Sequence, residues 1–351
     1  MDELTAAQRR LLPEITSMLE SRYRVLNSIR REGPVGRRAL TALLGMTERE
    51  IRAECEVLRS QGLIRSEASG MEVTEDGADV LQLLRPMLRE WTGLEDLGIE
   101  LAAVLGIQEV KIVPSSGGTD EERIKDRIAR EAAELLGERL PSGATVAVTG
   151  GSTVARIADY ADLCCKGKNA RFIAARGGTS GEARTQANMI AAALAAGSDG
   201  EWTAFHLPES LGEASYRTLL EEPYVREALR LYGEADCVIH GIGNAVEIAG
   251  RRGAGPDELS DLAGKGAVAE AFGYYLDASG NEVGSIRTIG IGRDQLGRVQ
   301  LPVAVTGGKD KAAAILAYMK QAPPATVLVT DEAAAEEMIR LHGPLHERND
   351  G

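Results

Sequence analysis

The sequence predicts an α/β protein in which an N-terminal winged helix-turn-helix precedes a Rossmann-like domain with a parallel sheet. From about residue 108 onward, short β-branched runs alternate with helical stretches, which is typical of a parallel sheet covered by helices on both faces. Before them, residues 37–73 contain two short helical segments and two strand-like runs. We therefore predict a first domain at 1–89, with a linker helix to about residue 106, and a second domain at 107–351.

Composition favours a globular protein whose first quarter differs from the rest. The 351-residue chain has 26% charged residues and a net charge of −13. Residues 1–89 contain arginine but no lysine and are close to neutral, so the acidity lies in the remainder. Because the guanidinium fork suits phosphates and guanine edges, the overall acidity does not exclude DNA binding. No run of about 18 apolar residues and no signal-peptide core is present, so we expect no membrane contact and a cytoplasmic location.

Helical periodicity predicts a long first helix and a helical connection between the domains. In the first segment, apolar residues recur at helical spacing, and Pro13 is a candidate break near the start. These apolar residues are Leu4, Leu11, Ile15, Met18, Leu26 and Ile29. The connection at 78–106 has candidate breaks at Pro86 and Gly93.

Two short helices joined by a glycine-containing turn form the predicted helix-turn-helix. The first, in "GRRALTALLG", ends at Gly45. The second begins after Thr47, which forms a capping box with Glu50, and it ends at Gly62. The runs "LIRSE" and "MEVTE" around "ASG" are the predicted strands of a wing.

The second of these helices has the pattern of a DNA-reading helix. Ile51, Cys55 and Leu58 are spaced to form an inward face, which leaves charged residues outside. The N-terminal half of such a helix enters the major groove, and the start of the preceding helix contacts phosphates. The predicted DNA-binding residues are Arg37, Arg38, Thr47, Glu48, Arg49 and Arg52. A solvated charged face is the alternative interpretation.

Seven β-rich runs predict the strands of the second domain, and helical stretches follow several of them. The runs are "EVKIVPS", "TVAVTGG", "RFIAARGG", "TAFHLPE", "CVIHGIG", "VAVTGG" and "TVLVTDE". The stretch "AFGYYLDASGNEV" predicts an inserted hairpin with "DASGNE" as its turn.

Glycine pairs follow three predicted strands, where helix N-termini at the carboxyl edge of a sheet offer N–H groups to anions. "VTGGST" at 148–153 adds hydroxyls, "ARGGTS" at 175–180 adds Arg176, and "VTGGKDK" at 305–311 adds Lys311. None has P-loop spacing, so a nucleoside triphosphate is not expected. The three corners together indicate phosphate binding, and two strong anion corners favour a bisphosphate over a monophosphate.

The residues alone leave an enzymatic alternative open, in which the helix-turn-helix serves oligomerisation. Phosphosugar isomerases and deaminases need a carboxylate base and often a histidine, and Glu270 and His240 are the nearest candidates. His240 lies in an apolar run, which is more typical of a core histidine, and Glu270 is equally suited to accept hydrogen bonds from sugar hydroxyls. The cysteines and histidines lack metal-ligand spacing, so we expect neither a metal nor a cofactor.

Several longer stretches carry a family resemblance, namely "PVGRRAL", "TEREIRAE", "VAVTGGST", "ARGG", "QAN", "HGIG", "AVAEAFGYY" and "VTGGKDK". Through them nearly the whole chain resembles the SorC/DeoR group of bacterial repressors, in particular those that regulate glycolytic genes. The resemblance implies a sugar-isomerase-type (NagB-like) effector domain without catalysis, fructose 1,6-bisphosphate as the inducer, and an operator ahead of glycolytic genes as the DNA partner. Because winged-helix dimers bind paired half-sites, we also expect a homo-oligomer, a dimer that becomes a tetramer on DNA.

The resemblance also implies which residues bind the effector. One phosphate would be held by Gly150, Gly151, Ser152 and Thr153 with Lys311 beside them, the other by Arg176, Gln186, Arg251 and Arg252, and the sugar hydroxyls by Glu270. The chain departs from the family pattern at Lys309 and Asp310, where the family has hydroxyl residues, and at Ser152, where it has threonine. A sugar monophosphate or a polyol therefore stays an alternative ligand.

Overall fold

The computed structural model describes residues 11, 13–67, 69–92, 94–115, 120–178 and 182–342. The chain forms two compact units, one extending to Leu97 and the other comprising Gly98–Pro114 and the chain from Asp120 onward. Across the described ranges, no helix combines the length and apolar character needed to cross a bilayer. Leu4, Gly93 and the end of the second glycine corner at 179–180 lie outside the described residues.

The first unit is a winged helix-turn-helix, as predicted. Its elements are α1 (Pro13–Glu32), α2 (Arg37–Leu44), α3 (Glu48–Ser60), β1 (Ile64–Glu67), β2 (Gly70–Val73) and α4 (Glu75–Thr92), after which α5 (Leu94–Leu105) follows. The two strands pair antiparallel, from Ile64 opposite Val73 to Glu67 opposite Gly70, and form the wing. The helix α4 continues through the predicted break at Pro86.

The predicted apolar stripe of α1 is buried only in its second half. Leu26 and Ile29 are 2% and 0% exposed because α2, α3 and α4 pack against this part of the helix. By contrast, Leu11, Ile15 and Met18 keep 77%, 46% and 40% of their surface exposed. The core of the unit is therefore built around the second half of α1 and not around the whole predicted stripe.

Local hydrogen bonds close both ends of α3. Thr47 Oγ1 accepts from the Glu50 N–H at 3.3 Å, and Glu50 Oε2 accepts from the Thr47 N–H at 2.7 Å, which confirms the predicted capping box. The Thr47 N–H stabilises the ionised carboxyl and so holds the pKa of Glu50 below its ordinary value. At the other end, the Leu63 N–H donates to the Leu58 carbonyl at 2.9 Å, the long bond of a Schellman motif around Gly62.

The second unit contains two sheets within the described residues. Its strands are β3 (Glu109–Val113), β4 (Thr145–Val148), β5 (Arg171–Ala174), β6 (Glu201–Thr203), β7 (Cys237–His240), β8 (Gly243–Asn244), β9 (Ala267–Ala271), β10 (Tyr274–Asp277), β11 (Glu282–Ser285), β12 (Leu301–Val305) and β13 (Val327–Asp331). Its main helices are α6 (Glu121–Arg139), α7 (Ser152–Ile157), α8 (Ala161–Cys165), α9 (Ala187–Ser198), α10 (Glu213–Glu221), α11 (Pro223–Gly233), α12 (Ala245–Arg251), α13 (Pro256–Gly264), α14 (Arg293–Leu296), α15 (Ala312–Met319) and α16 (Glu332–His342).

The larger sheet is parallel throughout and confirms the predicted α/β class. Its strand order is β3-β13-β12-β7-β4-β5-β6, so the chain runs outward from β4 to the edge strand β6 and then from β7 to β13, which lies beside the other edge strand, β3. The reversal between β4 and β7 is a topological switch point, and in open α/β sheets ligands bind beyond the carboxyl ends of the strands at such a point. The loops that follow β4 and β7 are therefore the expected place for a ligand.

The smaller sheet is antiparallel, with the order β11-β10-β9-β8. Its β10 and β11 form the predicted hairpin, with the turn at 278–281, while β8 and β9 were not predicted as strands. One predicted strand is wrong, because "TAFHLPE" is irregular and β6 ends at Thr203. The Asn188 side chain explains this, since it bonds both the N–H and the carbonyl of buried Phe205, each at 2.8 Å, in place of a neighbouring strand.

The capping box contributes to the stability of α3. We expect Thr47→Ala to lower the free energy of unfolding of the first unit by about 1 kcal/mol, because the Glu50 N–H loses its acceptor. Thr41→Ala is the control, since the Thr41 hydroxyl only bonds back to the Arg37 carbonyl within α2. Urea denaturation of both variants measures the difference, and equal losses in the two would contradict the capping role.

Candidate functional site

The first and third glycine corners have the same backbone shape at the carboxyl edge of the sheet. Gly151, after β4, has φ 139° and Gly308, after β12, has φ 104°, values that side chains rarely adopt. Each corner leads into helical structure, α7 in one case and a short 3₁₀ turn before α15 in the other. No carbonyl within α7 can accept the N–H groups of Ser152 and Thr153, so these donors are available to an anion.

The second glycine corner differs from the other two. After β5, Arg176 forms an isolated β-bridge with Gly290 and Gly178 forms one with Pro208, so residues 176–178 run between two loops. A Cβ on Gly178 would lie 3.5 Å from Gln186 Oε1, which places this predicted ligand beside the corner. The first corner reaches the same segment, since the Gly151 N–H donates to the Thr185 carbonyl at 2.9 Å. The structure therefore brings the first two corners and Gln186 together.

A buried network of two arginines and two glutamates lies beside the second corner. Arg176 Nη2 is 2.8 Å and Arg252 Nη2 is 3.0 Å from Glu209 Oε1. The same two guanidinium groups approach Glu270 Oε1 to 3.4 and 2.9 Å. All four side chains are between 6% and 14% exposed, so the charges compensate each other largely out of water. We call these four side chains the arginine–glutamate network.

A tight turn holds Glu270 in this network. Phe272 and Gly273, with φ 54° and 84°, connect β9 to β10, and the Gly273 N–H donates to Glu270 Oε1 at 2.7 Å. The two positive φ values explain why the motif has glycine at its second turn position. Burial alone would raise the pKa of Glu270, but Arg176 and Arg252 together with the Gly273 N–H hold it below its ordinary value. Glu270 is therefore ionised near neutral pH.

Two of the predicted cationic residues lie apart from the network. Arg251 is 66% exposed and pairs with Glu247 one turn earlier on α12, whereas its neighbour Arg252 points into the network. Consecutive helical residues are rotated by about 100°, so the two arginines cannot both face the same loop. Lys311 is half-buried at the third corner, and no described residue forms an ion pair with it.

The two departures from the family pattern lie at the third corner. Lys309 is 71% exposed and approaches Glu337 to 3.8 Å. The Asp310 carboxylate lies over the corner, since Oδ1 is 2.6 Å from the position that a Cβ on Gly308 would take. Buried Asp331 accepts the Gly308 N–H at 2.7 Å and fixes this loop. The third corner thus carries a carboxylate close to the place expected for an anion.

His240 lies in the core. Its ring is fully buried between Phe272 and Tyr318, at ring-centroid distances of 4.7 and 5.2 Å. Burial lowers the pKa of His240 to about 4, so the ring is neutral near pH 7. Within the described part of the chain, no group of His, Cys, Asp and Glu side chains is arranged to hold a metal ion, and the four cysteines are buried free thiols.

The candidate DNA-binding residues of the helix-turn-helix are exposed. The six side chains lie on the first turns of α2 and on the N-terminal half of α3: Arg37, Arg38, Thr47, Glu48, Arg49 and Arg52. Ile51, Cys55 and Leu58 of α3 are buried, as predicted. None of the four arginines forms an ion pair with a described side chain, unlike Arg22, which pairs with Glu54 at 2.8 Å. Their charges are therefore available to a polyanion.

Sequence reasoning missed Glu209. It lies in "FHLPES", a stretch without a recognisable motif, which was assigned to a strand. The bonds from the Gly178 N–H to the Leu207 carbonyl and from the Glu209 N–H to the Gly178 carbonyl, both 2.9 Å, hold its segment beside Arg176. No spacing in the sequence indicates these contacts.

The difference between Arg251 and Arg252 can be tested directly. We expect Arg252→Gln to lower the free energy of unfolding by about 3 kcal/mol at pH 7, because two buried carboxylates then share one guanidinium. Arg251→Gln is the matched control and should change it by less than about 0.5 kcal/mol.

The effect of Arg252→Gln should also depend on pH. Glu270 stabilises the fold above its unfolded-state pKa and loses this contribution as the pH falls through its lowered folded-state value. The deficit of Arg252→Gln, measured by urea denaturation, should therefore shrink below pH 4.5. A constant deficit across pH would contradict this.

Two family models match the two parts of the chain. The CggR N-terminal DNA binding domain matches residues 18–88, and the Sugar-bind family of sugar-binding domains matches residues 89–340. A solved SorC family transcriptional regulator from Enterococcus faecalis is 37% identical, with a TM-score of 0.63 over 70% of this chain and 99% of that one. The full-length sorbitol operon regulator SorC from Klebsiella pneumoniae, at 18% identity, shares the fold with a TM-score of 0.63 over 87% of this chain and 93% of that one.

Two curated relatives extend the similarity to nearly the full length. The central glycolytic genes regulator of Priestia megaterium is 38% identical over 97% of this chain and 99% of its own. The protein of the same name from Bacillus subtilis is 36% identical over 97% and 99%. The chain therefore belongs to the central glycolytic genes regulators of the SorC family, transcriptional regulators with a DNA-binding and a sugar-binding domain.

Proposed function

We propose that this protein is a repressor of glycolytic genes that leaves its operator when fructose 1,6-bisphosphate binds to the second unit. The observation that carries the proposal is the set of anion-binding groups at one edge of the parallel sheet. The free N–H groups after Gly151 and the guanidinium groups of Arg176 and Arg252 are suited to two phosphates.

The first unit supports the DNA-binding half of the proposal. Its exposed arginines lie at the end of α3 that enters the major groove in helix-turn-helix proteins. The capping box and the Schellman motif fix both ends of this helix, so its side chains are presented from a rigid element. A regulator of this kind binds chromosomal DNA in the cytoplasm.

The same geometry supports a receptor over an enzyme. A proton-transfer catalyst needs a group with a pKa near the working pH. His240 is buried and neutral, and Glu270 is held ionised by two arginines and a backbone N–H. Neither of the two candidate catalytic groups is thus poised to exchange protons with a sugar, and Glu270 acts as a fixed acceptor for ligand hydroxyls.

Control of DNA binding requires the ligand to favour one arrangement of the protein over another. We propose that the protein is a dimer in solution and that two dimers associate on a longer operator. Bisphosphate binding then alters the subunit arrangement and weakens this cooperative association with DNA.

We expect Arg52→Ala to weaken operator binding by about 1–3 kcal/mol, because its guanidinium would no longer reach a base edge. Fluorescence anisotropy with operator and with unrelated duplex measures the loss, which should be larger for the operator. Arg230→Ala is the control, since Arg230 lies on α11 and pairs with Glu227 and Glu234. Operator binding equal to that of the unchanged protein would show that α3 does not enter the groove as proposed.

The response to the effector should depend on the first glycine corner. Fructose 1,6-bisphosphate should release the protein from operator DNA, and Thr153→Ala should raise the concentration for half-release at least about tenfold, because a hydroxyl bonded to a charged phosphate is lost. Its operator affinity without ligand should be unchanged. Thr218→Ala on the exposed face of α10 is the control. An operator complex that is insensitive to the bisphosphate in the unchanged protein would disprove the proposed function.

A further inference from the structure

We infer that Glu209 is a built-in competitor of the ligand phosphate, whose carboxylate occupies the two arginines in the free protein and is displaced when a phosphate monoester binds. The inference rests on the proposed function and concerns the same site. It assigns a role to a residue that neither the sequence motifs nor the glycine corners indicate.

The charges of the arginine–glutamate network balance, which is the first step of the argument. Arg176 and Arg252 contribute two positive charges, and Glu209 and Glu270 contribute two negative charges. Each carboxylate directs a single oxygen, Oε1, at both guanidinium groups, so neither arginine is left without a counter-charge. An incoming phosphate therefore meets a neutral cluster and gains little electrostatic energy unless one carboxylate withdraws.

The two carboxylates are held very differently, which is the second step. Glu270 is in strand β9, and its Oε1 accepts hydrogen bonds from the Gly273 N–H at 2.7 Å and from Arg252 at 2.9 Å. Glu209 lies in the irregular segment between β6 and α10, a connection held to its neighbours by a few backbone hydrogen bonds. Its buried Oε1 lies within 3.0 Å of both arginines, yet neither approach has hydrogen-bond geometry. Glu209 is therefore the carboxylate that a phosphate displaces from the two arginines.

The exchange selects for the charge of the ligand. A phosphate monoester carries close to two negative charges at pH 7 and offers three acceptor oxygens, so it can bind both guanidinium groups in bidentate fashion. A carboxylate ligand only replaces Glu209 with an equivalent group, and a neutral sugar leaves the arginines without a counter-charge. A phosphorylated sugar can therefore displace Glu209 from the two arginines, whereas an unphosphorylated sugar cannot.

Isothermal titration calorimetry of the full chain with inorganic phosphate and with fructose 1,6-bisphosphate tests the inference. We expect Glu209→Gln, which keeps the shape of the side chain and removes its charge, to bind both ligands at least about tenfold more tightly than the unchanged protein. Glu201→Gln is the control for the loss of one negative charge from the same unit, because Glu201 is 81% exposed at the edge strand. Its affinity should equal that of the unchanged protein.

Unchanged or weaker binding by folded Glu209→Gln would overturn the inference while leaving the proposed function intact, since the unchanged protein would still bind the bisphosphate. Absence of binding in the unchanged protein and both variants would instead refute the proposed function. A crystal structure of the unchanged protein with the bisphosphate provides a test that needs no variant. The Glu209 carboxylate should then lie farther than about 4 Å from both guanidinium groups, and a retained ion pair would overturn the inference.

Discussion

The arginine–glutamate network is the interaction on which the loops of the second unit's candidate site depend. It joins four separate parts of the chain: the loop after β5, the segment between β6 and α10, the end of α12 and the end of strand β9. Removing ionised groups from water is costly, and the network is stable only while every charge has a partner. A change at any one of the four side chains therefore affects the segments that carry the other three.

Different local interactions fix the two units. In the first unit, uncharged and charge-assisted hydrogen bonds fix both ends of α3. In the second unit, positive-φ glycines let other groups approach the backbone closely, and buried charges of opposite sign hold the surrounding loops together. Rigidity is thus placed where DNA would be read, and buried ion pairs where a metabolite would bind.

Much of the fold could be predicted from the sequence, because its determinants are local. The Thr47 capping box and the glycine corners each depend on residues a few positions apart, and both appear in the structure. The candidate site was predicted less well, because it depends on contacts between distant segments. Helix rotation decides that Arg252 and not Arg251 joins the network, and only the path of an irregular loop brings in Glu209. The strand predicted at 203–209 is absent for a similar reason, because the distant Asn188 side chain bonds the backbone of Phe205.

The strand order has a consequence for how the protein is made. The first strand of the large sheet, β3, is hydrogen-bonded only to the last, β13, among the strands of that sheet. The ribosome must therefore produce almost the entire chain before this edge of the sheet can close, whereas the winged unit, with its own core, can fold once its own residues have emerged. During synthesis the DNA-binding domain would then be folded for some time before the sugar-binding domain is complete.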